Sequence, residues 1–105
     1  MVIFAHAFFK DYRDLSVPAL FYKAFGGSRN LYVDISATSV FYANSPEARN
    51  LVWHLRQFGI DHVFFGSDYP AFTPQKTRLA LNRLPFTPAE RDAILGANFR
   101  KMLGL

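Results

Sequence analysis

The sequence predicts an α/β fold in which elements follow the order β-α-β-α-β-α-α around a parallel sheet. Apolar runs that are typical of strands buried on both faces recur at Val2–Phe9, at Leu31–Ala37 and from His62 onward. Helical stretches with apolar residues at three- and four-residue spacing separate these runs. Because strands joined through helices run parallel, with right-handed crossovers, their carboxyl ends meet on one rim.

The first strand and helix lie in the N-terminal quarter of the chain. Val2–Phe9 is apolar on both alternating faces, and His6 falls toward its carboxyl end. A polar turn at Lys10–Asp14 precedes a helix over Leu15–Phe25, which Gly26-Gly27-Ser28 ends.

The second strand and helix are marked by residue type. Leu31–Ala37 is rich in β-branched and aromatic residues, and Asp34 and Ser36 interrupt one face near its carboxyl end. Ser45-Pro46-Glu47 then predicts a helix start, with serine as the N-cap, proline at the first helical position and an acid in the first turn. This helix is predicted to run to about Phe58.

The C-terminal part is predicted to be helical. Phe72–Leu84 reads as a loop followed by a helix. Thr87-Pro88-Ala89-Glu90 has the pattern of a capping box and predicts a helix over Arg91–Leu95. Gly96 is expected to interrupt this helix before a short terminal helix over Asn98–Leu103.

The third strand leads to the residue around which the rest is arranged. His62-Val63-Phe64-Phe65 ends in Gly66-Ser67, and Asp68 follows directly. Ligands of open parallel sheets bind just beyond the carboxyl ends of the strands. A carboxylate there needs a cation, a partner or water, because an unpaired buried charge is costly. His6, either Asp34 or Ser36, and Asp68 are therefore expected to converge on one rim.

These residue types suit a metal-dependent reaction, although each also has a structural interpretation. Imidazole and carboxylate groups bind zinc and similar divalent metals, and they can act as a general base or orient a water. However, His6 fits a hydrogen-bonded core histidine, and Asp34 can be satisfied by a neighbouring backbone or hydroxyl group. Asp68 can equally cap the turn that follows it.

Four further residues are interpreted by position. His54 lies on a helix and His62 at a strand start, away from the rim, so we expect surface or structural roles for both. Tyr69 and Phe72 either line a pocket or pack the loop that carries them. Tyr69 and Ser36 are our candidate substrate-binding residues.

Composition limits the functions that the chain can have. Half of the 105 residues are hydrophobic and 17% are aromatic, which provides a core and leaves apolar surface to be covered. The net charge is +4, but the basic residues are scattered, so we expect no nucleic-acid partner. We expect no membrane span and no export signal. The chain has no cysteine, which excludes disulfides and is compatible with the cytoplasm.

Two C-terminal stretches carry a family resemblance: Phe64-Phe65-Gly66-Ser67-Asp68-Tyr69-Pro70 and Ile94-Leu95-Gly96-Ala97-Asn98-Phe99-Arg100-Lys101-Met102-Leu103-Gly104-Leu105. They resemble the end of the amidohydrolase-related family, which comprises TIM-barrel metal-dependent hydrolases and their decarboxylase relatives. In that family the last strand ends in Gly-Ser-Asp-(Tyr or Trp)-Pro. A closing helix then reads Ile-x-x-x-Asn-Ala-x-(Arg or Lys)-Leu-(Leu or Phe)-Gly-Leu. Asn30–Ser36 resembles the preceding strand, and Ile3–His6 resembles the sixth.

The resemblance implies roles for two residues. Asp68 matches the eighth-strand aspartate, which binds the metal or takes the proton from the attacking water. His6 matches the sixth-strand histidine, which orients or polarises substrate and water. A glycine-rich turn usually follows that histidine, whereas Ala7-Phe8-Phe9 follows it here.

The resemblance further implies that the chain corresponds to the last three strand–helix units of a (β/α)8 TIM barrel, a single partial domain over residues 1–105. The family's first-strand His-x-His pair and fifth-strand histidine are expected upstream of Met1. A divalent metal, with zinc the expected ion, then belongs to the complete enzyme and is bound weakly or not at all by this chain alone. A homo-oligomer or the missing N-terminal barrel half is the expected partner, besides a small-molecule substrate.

Three functions follow from this resemblance. The first is metal-dependent hydrolysis, in which activated water attacks the carbonyl carbon of a small amide, ester or lactone. The second is non-oxidative decarboxylation by the same type of site. The third is an inactive remnant that acts only by association through its aromatic-rich sheet edges.

Overall fold

The structure, a computed structural model, describes residues 2–4, 7, 12–15, 31–66 and 69–105. Apart from Leu15, the helix predicted over Leu15–Phe25 lies outside the described residues, as do both candidate catalytic residues, His6 and Asp68.

Three strands form the sheet: β1 (Val2–Phe4), β2 (Leu31–Asp34) and β3 (Val63–Phe64). They lie side by side in the order β1-β2-β3, and both pairs are parallel. Ile3 lies opposite Tyr32, and Val33 lies opposite Val63. The predicted α/β class and the parallel direction are therefore confirmed.

The described helices are α1 (Thr38–Tyr42), α2 (Ala48–Phe58), α3 (Pro74–Arg83), α4 (Pro88–Asp92) and α5 (Asn98–Met102). A 3-10 turn over Ile60–His62 leads into β3. The predicted capping box at α4 is confirmed: the Glu90 N–H donates to the Thr87 hydroxyl at 3.1 Å, and the Thr87 N–H donates to the Glu90 carboxylate at 2.8 Å. None of the helices in the described part of the chain is long and apolar enough to cross a membrane.

The predicted start of α2 is wrong by two residues. Ser45 is not the N-cap, because its hydroxyl donates to the C=O of Tyr42 at 2.8 Å. The preceding α1, which the sequence did not predict, provides that acceptor. The helix begins at Ala48 after Glu47, which makes no side-chain cap. Gly59, with φ of 119°, ends the helix.

The predicted interruption at Gly96 takes the form of a π-helical turn and not of a break in the helix. Residues Ala93–Ala97 form a π-helical turn that joins α4 to α5. An alanine methyl at Gly96 would meet only the guanidinium end of Arg100, at 3.3 Å. A π turn leaves a backbone C=O without its usual helical partner. Here the Ile94 C=O accepts a hydrogen bond from the Phe65 N–H at 3.0 Å.

The core lies between one face of the sheet and the helices. Val33, Ile35 and Val63 are fully buried on that face. They pack in one cluster with buried apolar side chains of the helices and the loops between them, including Leu51, Leu55, Leu81, Leu84 and Ile94. Each such side chain contributes about 1.5–3 kcal/mol by leaving water.

Candidate functional site

The second face of the sheet carries the polar residues. Successive side chains of a strand point to opposite faces. Because Val33 and Val63 face the helices, Tyr32, Asp34 and Phe64 face the other way. Ile3, which pairs with Tyr32, is 41% exposed. This face lies opposite the core, although Phe64 on it is buried and meets the ring of Phe99 on α5 edge to face.

At the carboxyl end of β2, Asp34 is held by Ser36. One carboxylate oxygen of Asp34 accepts the Ser36 N–H at 3.1 Å and a short hydrogen bond from the Ser36 hydroxyl. The interpretation of Asp34 as satisfied by a neighbouring backbone or hydroxyl group is confirmed. Ser36 is buried, so its hydroxyl serves Asp34 in a site with little access to water.

The turn after Ser36 sets the direction of α1. Ala37 has φ of 62°, in the left-handed region that an alanine seldom adopts. The Thr38 N–H donates back to the Ser36 C=O at 2.6 Å, and the Ser39 N–H donates to the Ile35 C=O at 3.1 Å. The chain therefore turns sharply at the rim and enters the helix within two residues.

Gly66, at the end of β3, lies against the same rim. A methyl group added to Gly66 would lie 3.3 Å from the Ser36 Cβ and 3.9 Å from the Asp34 Cβ. The carboxyl ends of β2 and β3 therefore converge, as the parallel topology predicts. A side chain at Gly66 would require Ser36 to shift by a few tenths of an ångström.

The structure describes two of the four predicted site residues. Asp68 and His6, the candidate catalytic residues, lie outside the described residues. Ser36, a candidate substrate-binding residue, lies at the rim and contacts Asp34. Tyr69, the other candidate, is 75% exposed and precedes Pro70 through a cis peptide bond. Substrate binding by Tyr69 and Ser36 stays a prediction.

An aromatic pair joins the segments that follow the two strands. The rings of Phe41, on α1, and Phe72, in the loop after β3, meet edge to face with centroids 5.8 Å apart. Phe41 remains 59% exposed. The sequence singled out Phe72 but not Phe41. In the sequence, Phe41 would have stood out only as an apolar residue on the polar side of a short helix, and that helix was not predicted.

His54 and His62, for which the sequence predicted surface or structural roles, each contact a backbone C=O. The Nδ1 of His62 is 2.8 Å from the Leu31 C=O, and its ring stacks on Tyr32 at 4.5 Å. The Nδ1 of His54 is 2.8 Å from the C=O of Asn50, one helical turn earlier. Both contacts fix local structure.

Two side-chain clusters show shifted pKa values. Burial, followed by a hydrogen bond to Glu47, raises the pKa of Tyr12 to about 12. The hydrogen bond from Tyr12 in turn lowers the pKa of Glu47, and Arg13 contributes at 2.7 Å.

In the second cluster, Arg56 holds Glu90 in a two-point ion pair with N···O distances of 2.8 and 2.9 Å. These hydrogen bonds are the largest cause of a Glu90 pKa lowered to about 2. The Thr87 capping contacts act in the same direction. This cluster joins α2 to α4, and both clusters have evident structural functions.

The described residues do not by themselves form a metal centre. Across residues 31–66, 69–105 and the shorter described segments, no three His, Asp or Glu side chains lie close enough to hold an ion. A protein zinc site usually needs three such ligands. Among the described residues at the rim, Asp34 is the carboxylate, and one of its two oxygens accepts both hydrogen bonds from Ser36.

A cavity of about 410 Å³ lies beside β3, lined by Phe65, Pro74, Gln75, Arg78 and Leu95. Phe65 alternates with Phe64, so this cavity opens on the helix side of the strand. It is therefore separate from the face that carries Asp34.

Comparison with known proteins gives one match. A family model described as amidohydrolase matches residues 18–105. The matched segment contains β2, β3 and all described helices, and it includes Asp68 but not His6. No curated protein and no solved structure matches the chain.

Proposed function

The chain belongs to the amidohydrolase family, which the match over residues 18–105 shows, and from this membership we propose that it forms the last three strand–helix units of a metal-dependent TIM-barrel hydrolase. The substrate is a small amide, ester or lactone. The enzyme acts in the cytoplasm, a location with which the lack of cysteine is compatible. The remaining strands come from the rest of a barrel or from an assembled partner.

The observation that carries this proposal is the convergence of β2 and β3 at their carboxyl ends. Gly66 approaches the Ser36 and Asp34 side chains at this end of the sheet. In TIM barrels, the active site is built at the carboxyl ends of the strands. Asp68 follows Gly66 by two residues, so the proposal assigns it to the same rim.

We assign the proton chemistry to Asp68 and His6. A bound divalent ion, with zinc expected, would supply the acidity that makes water nucleophilic near neutral pH. Asp68 would contribute one ligand or take the proton of that water, and His6 would orient the substrate carbonyl. The other ligands must come from outside the described residues, which do not form a metal centre alone.

Substrate binding is assigned to Ser36 and Tyr69. Ser36 holds Asp34 through its hydroxyl, so it can position the rim as well as contact the substrate. Tyr69 is exposed and follows Asp68, so its ring is available to an incoming ligand. Phe41 and Phe72 add an apolar pair in the segments after the same strands.

The test is a complete barrel made by fusing this chain behind the first five strand–helix units of a hydrolase of the family. It would be assayed with a chromogenic ester, a lactone and an amide, before and after chelation and after zinc is restored. The Asp68→Asn variant removes the ionised carboxylate. Asp92→Asn, at an exposed helix position, is the matched control.

We expect zinc-dependent hydrolysis that falls about 10²–10⁴-fold in kcat for Asp68→Asn, since proton transfer by a positioned side chain contributes about that much. Asp92→Asn should keep full activity, and circular dichroism should be the same for all three proteins. Full turnover by Asp68→Asn would exclude the role of Asp68. Release of CO2 from an unsaturated acid, without hydrolysis, would identify a decarboxylase instead.

A further inference from the structure

The outer edge of β3 is already hydrogen-bonded in this chain. Residues of a parallel strand direct their backbone groups alternately to the two sides. The Ile35 N–H donates to the Phe64 C=O at 3.1 Å, so the backbone groups of Phe64 face β2. Those of Val63 and Phe65 therefore face away from β2, toward the edge where a further strand would lie.

The C-terminal helix satisfies two of these edge groups. The Phe65 N–H donates to the Ile94 C=O at 3.0 Å, and the Val63 C=O accepts from the Asn98 side-chain amide at 2.9 Å. The same amide nitrogen donates to the Ile60 C=O at 2.6 Å. Asn98 is only 6% exposed, so water does not readily replace these bonds. We call residues 93–102 the edge cap.

The edge cap depends on the π-helical turn. In a regular α-helix the Ile94 C=O would accept the N–H four residues later. The π turn over Ala93–Ala97 releases this C=O from that pattern and directs it to Phe65. The helix therefore has an irregular geometry at the position where it contacts the strand.

The edge cap and a neighbouring strand exclude each other at these groups. A parallel strand beside β3 would need the Phe65 N–H as a donor and the Val63 C=O as an acceptor. Both are occupied by the edge cap. The outer edge of β3 is therefore not open, because the edge cap covers it.

We propose that the edge cap is a gate on strand addition to β3. It detaches from β3 as a unit while β2 and β3 stay paired, and only the detached form accepts a further strand. Under the proposed function, that strand is the one that would close the barrel. The detachment of the edge cap does not depend on the proposed function. Strand edges that are left exposed invite pairing with other chains, so the gate also protects the isolated chain.

Native-state hydrogen exchange of this 105-residue chain tests the detachment. The amide of Phe65 reports on the edge cap, and the amide of Ile35 reports on the pairing of β2 with β3. We expect Phe65 to exchange about tenfold faster or more than Ile35, with the same denaturant dependence as the amides of α5. If Phe65 and Ile35 exchange together in one global opening, the edge cap does not detach separately and the proposal is wrong.

A pair of asparagine variants gives a second measurement. Asn98→Ala removes the bonds to Val63 and Ile60, and Asn50→Ala is the matched change at an exposed position of α2. We expect Asn98→Ala to accelerate exchange at Phe65 about tenfold and to leave Ile35 unchanged. Asn50→Ala should alter neither amide. If Asn98→Ala accelerates Ile35 equally, or leaves Phe65 unchanged, the edge cap is not a separate unit.

The fused barrel tests whether a strand that pairs with β3 displaces the edge cap. Once a barrel strand holds the Phe65 N–H, Asn98→Ala should no longer change the exchange of Phe65. An equal acceleration in the barrel and in the isolated chain would mean that the edge cap stays on β3, which overturns the gate. Exchange is independent of turnover, so this result stands whether or not the barrel is a hydrolase.

Discussion

Ser36 and Gly66 contact each other across the carboxyl ends of two neighbouring strands, with 3.3 Å between the Ser36 Cβ and a methyl group placed on Gly66. Ser36 is also the hydrogen-bond donor that holds the Asp34 carboxylate. A change at Gly66 therefore reaches Asp34 through Ser36. This chain of contacts links the packing of the rim to the orientation of its one described carboxylate.

Gly66→Ala should destabilise the chain by about 1–3 kcal/mol, because overpacking a close contact forces side chains or backbone to shift. Ser36 is buried and cannot move away without releasing Asp34. Denaturant unfolding followed by circular dichroism measures the change.

The matched control for this substitution is Gly96→Ala. Its methyl would meet only the flexible end of Arg100, and alanine is favoured over glycine in a helix by about 1 kcal/mol. Gly96→Ala should therefore be neutral or stabilising. Equal stability of both variants would mean that the rim tolerates a side chain at Gly66.

Tyr12 should titrate late and make stability depend on alkaline pH. Burial and the hydrogen bond to Glu47 raise its pKa from 10.0 to about 12 in the folded chain. A folded pKa above the unfolded value contributes stability that is complete below about pH 10. This contribution disappears as the pH rises through about 12.

Tyr12→Phe tests this dependence. The variant should lack the phenolate step near pH 12 in an ultraviolet absorbance titration, and its free energy of unfolding should approach that of the unchanged chain between pH 10 and 12. Tyr69→Phe, at a side chain that is 75% exposed, is the control and should keep the step. A difference in stability that is constant over this pH range would argue against the linkage.

Glu90 should contribute stability that acid removes. The hydrogen bonds from Arg56, and after them the capping contacts of Thr87, lower its pKa from 4.5 to about 2. A folded pKa below the unfolded value gives stability that is present above about pH 4.5 and is lost as the pH falls toward 2.

Glu90→Gln should cost at most about 1 kcal/mol at neutral pH, because glutamine can still accept from the Thr87 N–H and loses only the charged pairing with Arg56, which contributes little at a partly exposed site. The difference from the unchanged chain should shrink between pH 4.5 and 2 in acid unfolding monitored by fluorescence. Asp92→Asn, on the same helix and exposed, should leave the acid profile unchanged. A profile for Glu90→Gln that parallels the original would contradict the assignment.

Local signals in the sequence predicted the elements whose contacts are local. The Thr87–Glu90 capping box closes over three residues, and both of its bonds form as expected. The Asp34–Ser36 contact spans two residues and was likewise anticipated. The apolar runs predicted all three strands, although the face opposite the core, which includes Ile3 at 41% exposed, is not buried throughout.

Contacts between distant segments could not be predicted in this way. Helix α1 follows Ala37, which has a left-handed backbone. Glycine or asparagine would have indicated this conformation, but alanine does not. The pairing of Phe41 with Phe72 and the bond from Phe65 to Ile94 each join segments about thirty residues apart. They depend on where the helices pack, and the spacing of apolar residues does not specify that.

A variant of Tyr69 distinguishes an effect on stability from an effect on substrate binding at the proposed site. Its side chain is 75% exposed, so Tyr69→Ala removes little packing and should leave the free energy of unfolding within about 0.5 kcal/mol. In the fused barrel, the same variant should raise KM about tenfold, because one aromatic contact with a ligand contributes about 0.5–1.5 kcal/mol beyond its buried area.

Trp53→Ala, at an aromatic residue of α2 that is 54% exposed, is the matched control and should change neither quantity. A loss of stability in Tyr69→Ala would show that the ring packs its own loop. Unchanged KM together with unchanged stability would remove Tyr69 from the substrate site and leave Ser36 as the candidate to test next.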